Sequence, residues 1–227
     1  MSWVSKTLNS TLGKKLLMAL TGLFLILFLV VHLAGNLQLL ISDNGESFNI
    51  YAHSMANNPL IKVVSYGNFA FILLHVIYSI ILTRQNKKSR PVGYAISRPQ
   101  NNSSWSSRNM GILGTILLIF ILVHLRGFWY EFKFGELPTA VYEGITYKNV
   151  FVIVSEAYSN VFYVAFYVIC MGFLGFHLSH GFASAFQTLG LNHTKYSPLI
   201  QKVGFGFSII VPALFALIPL VMYIQTL

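Results

Sequence analysis

Five long apolar runs, separated by polar stretches, organise this chain. A helix that crosses the hydrocarbon of a bilayer needs about 20 mostly apolar residues. Leu16–Ile41, Val63–Thr83, Met110–Trp129, Ala157–Phe186 and Val203–Leu227 all qualify, and Arg126 is the one basic or acidic residue inside them. The first run follows Lys14 and Lys15, as a signal sequence would. It is too long for a signal core and no small-residue cleavage pattern follows it, so it is expected to be retained. The stretches between the runs differ in character. Residues 42–62 are polar, with Phe48, Tyr51 and Met55 at helical spacing, which predicts a short interfacial helix. Residues 84–109 are basic and rich in Asn and Ser, with Pro91 and Pro99, and read as an irregular loop; residues 130–156 collect acids, Tyr and Phe. No sequence period repeats and no linker divides the chain. The expectation is one all-α domain over residues 1–227, a membrane bundle of five transmembrane helices.

Composition narrows this further. Only 9% of the 227 residues are charged and 55% are hydrophobic, against about 25% charged in a soluble domain. That excludes an ordinary soluble enzyme and a disordered chain. A disulfide-stapled module is excluded because Cys170 is the single cysteine, within an apolar run. The net charge of +9 would raise nucleic acid as a partner, but its distribution points elsewhere. Eleven of the 15 basic residues (Lys6, Lys14, Lys15, Arg84, Lys87, Lys88, Arg90, Arg98, Arg108, Lys195, Lys202) fall on the side of the first span's start. All six acids fall on the other side. Positive charge gathers on the cytoplasmic side of membrane proteins. The N-terminus is therefore expected in the cytoplasm and the C-terminus outside, with membrane lipid and no nucleic acid as the surroundings.

With so little charge in the spans, histidine carries the chemistry. Ionisable residues inside a membrane are costly and default to a functional reading. His32, His75, His124, His177 and His180 lie in spans, while His53 and His193 lie in connecting stretches. At a rise of about 1.5 Å per residue, His32 lies roughly 24 Å and His124 roughly 21 Å from the cytoplasmic edge, and His75 and His177 roughly 12 and 13 Å. The four form two depth-matched pairs. Two imidazoles facing each other from different helices at one depth are what a six-coordinate haem iron requires. His177 matches His75 in depth better than His180, which lies one turn nearer the cytoplasm and could meet a haem propionate or a quinone. Gly35 follows His32 by three positions and Gly181 follows His177 by four; Gly67, Gly114 and Gly172 lie on the same spans. Small residues also serve close helix packing. A single zinc or copper ion does not fit ligands at two levels roughly 10 Å apart, and no Asp or Glu lies in the spans to build a proton relay.

These residues resemble the cytochrome b subunit of succinate:quinone oxidoreductase (succinate dehydrogenase/fumarate reductase), in its single-chain, five-helix, two-haem branch. The stretch Phe176-His177-Leu178-Ser179-His180-Gly181, ending in Leu189-Gly190, is similar to the family's His-x-x-x-Gly followed by a glycine nine residues on. That spacing selects His177 as the ligand. Ser107-Arg108-Asn109-Met110, and Phe48-Asn49-x-Tyr51 leading to Asn58-Pro59, look familial as well. The similarity runs from Gly13 to the last span. A carboxylate that some fumarate reductases carry two residues before the fourth ligand is replaced by Gly175, which puts their transmembrane proton pathway in doubt here.

The resemblance implies two haems b, the distal one held by His32 and His124 and the proximal one by His75 and His177. It implies a flavoprotein subunit, carrying the succinate site, and an iron–sulfur subunit docked on the cytoplasmic face of a bacterial inner membrane. Electrons would reach a quinone, menaquinone in this branch. Arg108 and Arg126 are candidate propionate partners, with His180, Gly35 and Gly181 as further cofactor contacts. His53, Asn49, Glu46 and Tyr51 are candidate quinone contacts at the outer end. The alternatives are another four-histidine membrane cytochrome of hydrogenase or ascorbate type, or a haem-free transporter; the latter's signature of broken spans with intramembrane acids is missing.

Overall fold

Capping residues, more than the apolar runs themselves, set where each helix starts in the computed structural model, which describes residues 3–89 and 103–227. A short helix α1 (Trp3–Asn9) precedes α2 (Thr11–Asn36), whose first turn is capped by Ser10, its Oγ accepting from the Gly13 N–H at 3.0 Å. A 3-10 turn (Leu37–Leu40) leads to α3 (Glu46–Asn57), a short helix within the polar stretch where one was expected. Asn58 caps α4 (Pro59–Lys88) through the Leu60 and Ile61 N–H groups, and Pro59 occupies the first turn, where no N–H is needed. Ser104 caps α5 (Trp105–His124), which runs into a π-helical segment (Leu125–Tyr130) and α6 (Glu131–Phe134). The loop expected over 84–109 is therefore helical at both of its described ends; Arg90, Pro91, Arg98 and Pro99 lie outside the described residues.

The stretch 130–156 holds more structure than its composition announced. Strands β1 (Thr139–Tyr142) and β2 (Ile145–Lys148) form a hairpin, turned by Glu143 and Gly144, both at positive φ. Helix α7 (Val150–Tyr158) follows. The chain breaks at Ser159, and Asn160 caps α8 (Val161–Thr188) through the Phe162 and Tyr163 N–H groups. The fourth span thus begins at Val161, not Ala157, because a new cap starts it. Helix α9 (Ser197–Ile224) contains Pro212 and Pro219, both buried.

The chain is 82% helical, and α2, α4, α5 continued through α6, α8 and α9 are long and apolar enough to cross a membrane. Consecutive spans run antiparallel: Thr21 and Phe24 of α2 meet His75 and Phe71 of α4, and Ser106 and His124 of α5 meet Ser179 and Tyr167 of α8. The closest packing joins α8 to α9. A Cβ on Gly175 would lie 2.9 Å from the Ser208 carbonyl oxygen, and one on Gly204 would lie 2.6 Å from the Phe182 ring. Large apolar side chains such as Leu27, Ile119, Ile169 and Ile209 point outward, as on a lipid-facing surface. Lys14, Lys15, Lys87, Lys88, Lys195 and Lys202 share one end of the bundle, here the basic end; α3, the hairpin and α7 cover the other, the hairpin end.

At the hairpin end the turn into α3 is held by Asp43. Its carboxylate accepts from the Gly45 N–H at 3.0 Å and the Ser47 N–H at 2.9 Å, while Asn44 and Gly45 adopt positive φ. Hydrogen bonds, foremost from the Ser47 side chain, hold its carboxyl below the usual range. A carboxylate held low in the folded state contributes stability that is present above its unfolded pKa. That stability is lost as pH falls through the folded value. Below about pH 4, amide exchange at Gly45–Asn49 is expected to accelerate beyond the intrinsic pH effect. Asp43→Asn should abolish that pH dependence; protection that is equally pH-sensitive in the variant would refute the assignment.

Candidate functional site

The structure brings the span histidines together in pairs. His32 of α2 and His124, the last residue of α5, have ring centres 5.8 Å apart at an interplanar angle of 86°. His75 of α4 and His177 of α8 have ring centres 6.3 Å apart at 64°. Because Thr21 and Gly22 of α2 touch His75 while His32 belongs to the other pair, the two levels are separated along α2 by roughly 15 Å. Each pair joins two different helices, and α2, α4, α5 and α8 each contribute one member.

Aromatic rings fix the pair nearer the hairpin end. Phe28, one turn before His32, stacks on it at 5.1 Å and 17°. Phe120, one turn before His124, stacks on it at 5.7 Å and 28°. Phe128 meets His124 edge-on at 5.3 Å, and Phe215 of α9 closes on His32 at 5.8 Å. The Tyr167 hydroxyl lies 3.3 Å from His124 Nδ1 and 3.1 Å from the Tyr163 hydroxyl. Asn36 Nδ2 donates to the His32 carbonyl at 2.7 Å and lies 3.4 Å from its Nδ1. The π-helical segment begins at the residue after His124; such bulges recur at functional sites.

The pair nearer the basic end is met by small residues. Thr21 Oγ1 lies 3.1 Å from His75 Nδ1. A Cβ on Gly22 would sit 3.4 Å from His75 Cε1, and one on Gly114 would sit 4.0 Å from His177 Cε1, while one on Gly181, one turn from His177, would meet nothing within 4 Å. Gly67 and Gly172 lie farther along α4 and α8, toward the hairpin end. His177 Nδ1 is buried, with no hydrogen-bond partner among the described residues.

Two neutral imidazoles on opposite sides of one metal, with metal–nitrogen bonds of about 2 Å, would have ring centres roughly 6 Å apart. Both pairs meet that spacing, so the residues fit a group that takes one axial nitrogen from each side. A bare metal ion fits less well. Among the described residues no three His, Cys, Asp or Glu side chains come together, and structural zinc sites take four ligands.

The remaining expected site residues scatter. His180 lies one turn from His177 toward the basic end and hydrogen-bonds Ser184 of its own helix, with Nε2 at 3.3 Å. Arg108 donates to the Ser103 carbonyl. Arg126 is ion-paired with Glu131, its guanidinium 4.5 Å from the centre of the Tyr130 ring, with a side chain 65% exposed. Gly35 makes room for Tyr51, since a Cβ there would lie 2.5 Å from that ring. His53 is exposed and meets Tyr147 edge-on at 5.0 Å. Asn49 is fully buried and its amide is spent on the protein. Nδ2 donates to the Tyr142 hydroxyl at 2.9 Å and Asn149 Oδ1 at 3.0 Å, and Oδ1 accepts from the Phe151 N–H at 3.0 Å. Asn49 thus ties α3 to the hairpin and to the start of α7.

Sequence reading missed Thr21, Gly22, Tyr163 and Tyr167, and the stacked Phe28 and Phe120. One signal was present for the last two: Phe precedes both His32 and His124 by four positions, the spacing of neighbours on a helix face.

No family model, no curated protein and no solved structure matches this chain.

Proposed function

We propose that this chain is the cytochrome b membrane anchor of a succinate:quinone oxidoreductase, holding two haems b and delivering electrons to a membrane quinone, menaquinone by the resemblance. One observation carries the reading: two separate imidazole pairs, each spanning two helices, with ring centres 5.8 and 6.3 Å apart. His32 with His124 and His75 with His177 would hold the irons, whose bound porphyrins supply one-electron chemistry. The chain's own task is to orient the imidazoles, keep them neutral and exclude water. Phe28 and Phe120 do the first by stacking on their rings. A neutral nitrogen is the form that ligates, and burial in apolar helices favours it.

The asymmetry of basic residues supports an N-terminus in the cytoplasm of a bacterial inner membrane. It makes the basic end the docking face for a flavoprotein and an iron–sulfur subunit. Succinate chemistry belongs to the former, and the quinone to the hairpin end near Glu46, Tyr51 and His53.

The test is a pyridine haemochrome assay on the purified complex, with identification of what co-purifies. The expected result is two haems b per chain, with a flavoprotein and an iron–sulfur subunit. No haem would sink the reading outright. Two haems with a nickel enzyme, or with no partner, would move the chain to another class of four-histidine cytochrome.

A further inference from the structure

In each histidine pair, one imidazole is met at Nδ1 by a hydroxyl from a neighbouring helix. Thr21 Oγ1 of α2 reaches His75 of α4 at 3.1 Å, and the Tyr167 hydroxyl of α8 reaches His124 of α5 at 3.3 Å. Both hydroxyl residues are buried, at 3% and 5% exposure. Among the described residues the other member of each pair has no such partner: His177 Nδ1 has none, and His32 Nδ1 is met by the Asn36 amide nitrogen at 3.4 Å.

The direction of the Thr21 hydrogen bond follows from proton counting. Thr21 Oγ1 lies 2.9 Å from the Leu17 carbonyl and 3.0 Å from the Met18 carbonyl. Carbonyls only accept, and a hydroxyl has a single hydrogen. With that hydrogen committed to its own helix, Thr21 turns a lone pair toward His75, and only a protonated Nδ1 can answer it. At Tyr167 the neighbour is another hydroxyl, that of Tyr163 at 3.1 Å, which can accept its hydrogen; in that arrangement a lone pair of Tyr167 is left for His124 Nδ1–H. Gly127 is what admits Tyr163, since a Cβ there would lie 2.7 Å from that hydroxyl.

We propose that Thr21 and Tyr167 are positioning residues that hold His75 and His124 as Nδ1–H tautomers, so that the unprotonated Nε2 of each is the nitrogen left to bind a metal. The assignment rests on the dihaem reading for its purpose, though the tautomers themselves do not depend on haem. A second-layer acceptor on a ligand imidazole fixes ring orientation and raises ligand basicity. Its loss typically weakens metal binding 10–100-fold.

The test uses the full chain with Thr21→Val, Thr21→Ser and Tyr167→Phe, each close in shape to the native residue. On the haem-loaded protein, redox titration should show one of the two potentials raised in Thr21→Val and the other raised in Tyr167→Phe. The affected haem should be lost to a haem acceptor such as apomyoglobin roughly 10–100-fold more readily. Thr21→Ser, which keeps the hydroxyl, should restore native behaviour. Both potentials moving together in either variant, or neither moving, would overturn the proposal. If the native chain carries no haem, the dihaem reading fails separately. Nitrogen-15 spectra of histidine-labelled protein then decide the tautomers: two Nδ1–H imidazoles, each lost in its own variant, support the assignment, and spectra unchanged by the variants refute it.

Discussion

Replacing His177 by alanine is expected to leave the purified chain with one haem b in place of two, while replacing His180 by alanine leaves it with two. The residues are three positions apart on α8 and share a face, so the helix face alone does not separate them. Their partners do. His177 faces His75 across the bundle, with ring centres 6.3 Å apart, and Gly114 of α5 keeps the space beside it open. His180 is turned to Ser184 on its own helix. Loss of folding does not obscure the result. His177 Nδ1 is buried without a partner among the described residues, which costs about 1–3 kcal/mol, so removing the ring relieves that penalty while forfeiting its packing. His177→Leu, which restores apolar volume, should therefore melt close to the native chain and still hold one haem. Haemochrome content against thermal unfolding in detergent checks both. Loss of one haem from the His180 variant alone would reverse the ligand choice.

The spans were legible because hydrocarbon imposes a length and an absence of charge that sequence displays directly. Their ends were less so. Apolar runs mark the part of a helix that must avoid water, whereas α2, α4 and α5 begin five, four and five residues earlier, at Thr11, Pro59 and Trp105. The information was present locally, as Ser10, Asn58-Pro59 and Ser104, and reading caps before hydropathy would have recovered it. The break at Ser159 and Asn160 interrupts an apolar stretch that hydropathy treats as continuous. The hairpin has four-residue strands and a Glu-Gly turn, outside the Asn-Gly and Asp-Gly signals that announce such turns.

Within the candidate site, position along a helix acts as a ruler of depth, and depth alone grouped the four histidines. Rotation and tilt have no such ruler. Whether Thr21 faces His75, or Tyr167 faces His124, depends on how two helices turn toward each other, and neither residue type stands out in an apolar span. Asn49 shows the same limit: its hydrogen-bond partners lie 93, 100 and 102 positions away, beyond what local sequence displays.

Those distant partners make Asn49 the second site of large expected effect. Its amide ties α3 to the hairpin through Tyr142 and to the start of α7 through Asn149 and Phe151, with no exposed surface. Truncation to alanine strands the Phe151 N–H, which loses its acceptor at 3.0 Å, and leaves a small cavity. A buried unsatisfied donor costs about 1–3 kcal/mol and a lost methylene-sized volume about 1 kcal/mol more. Asn49→Ala is thus expected to destabilise the hairpin end by about 3 kcal/mol. Asn49→Asp should be worse. It keeps an acceptor for Phe151 but sets a carboxylate against Asn149 Oδ1, where the native amide donated; a buried charge without a partner costs more than a missing hydrogen bond. The loss should be local. Hydrogen exchange should rise across α3, the hairpin and α7, while the segment around His75 and His177 keeps its protection, because no bond of Asn49 reaches that level. The tyrosines are the point of contact with the nearer pair: Tyr158, the last residue of α7, packs on Tyr167 at 5.5 Å, so a loosened α7 should reach His124 before any other span histidine. Exchange that rises uniformly through the bundle would mean that Asn49 holds the whole fold and not one end of it.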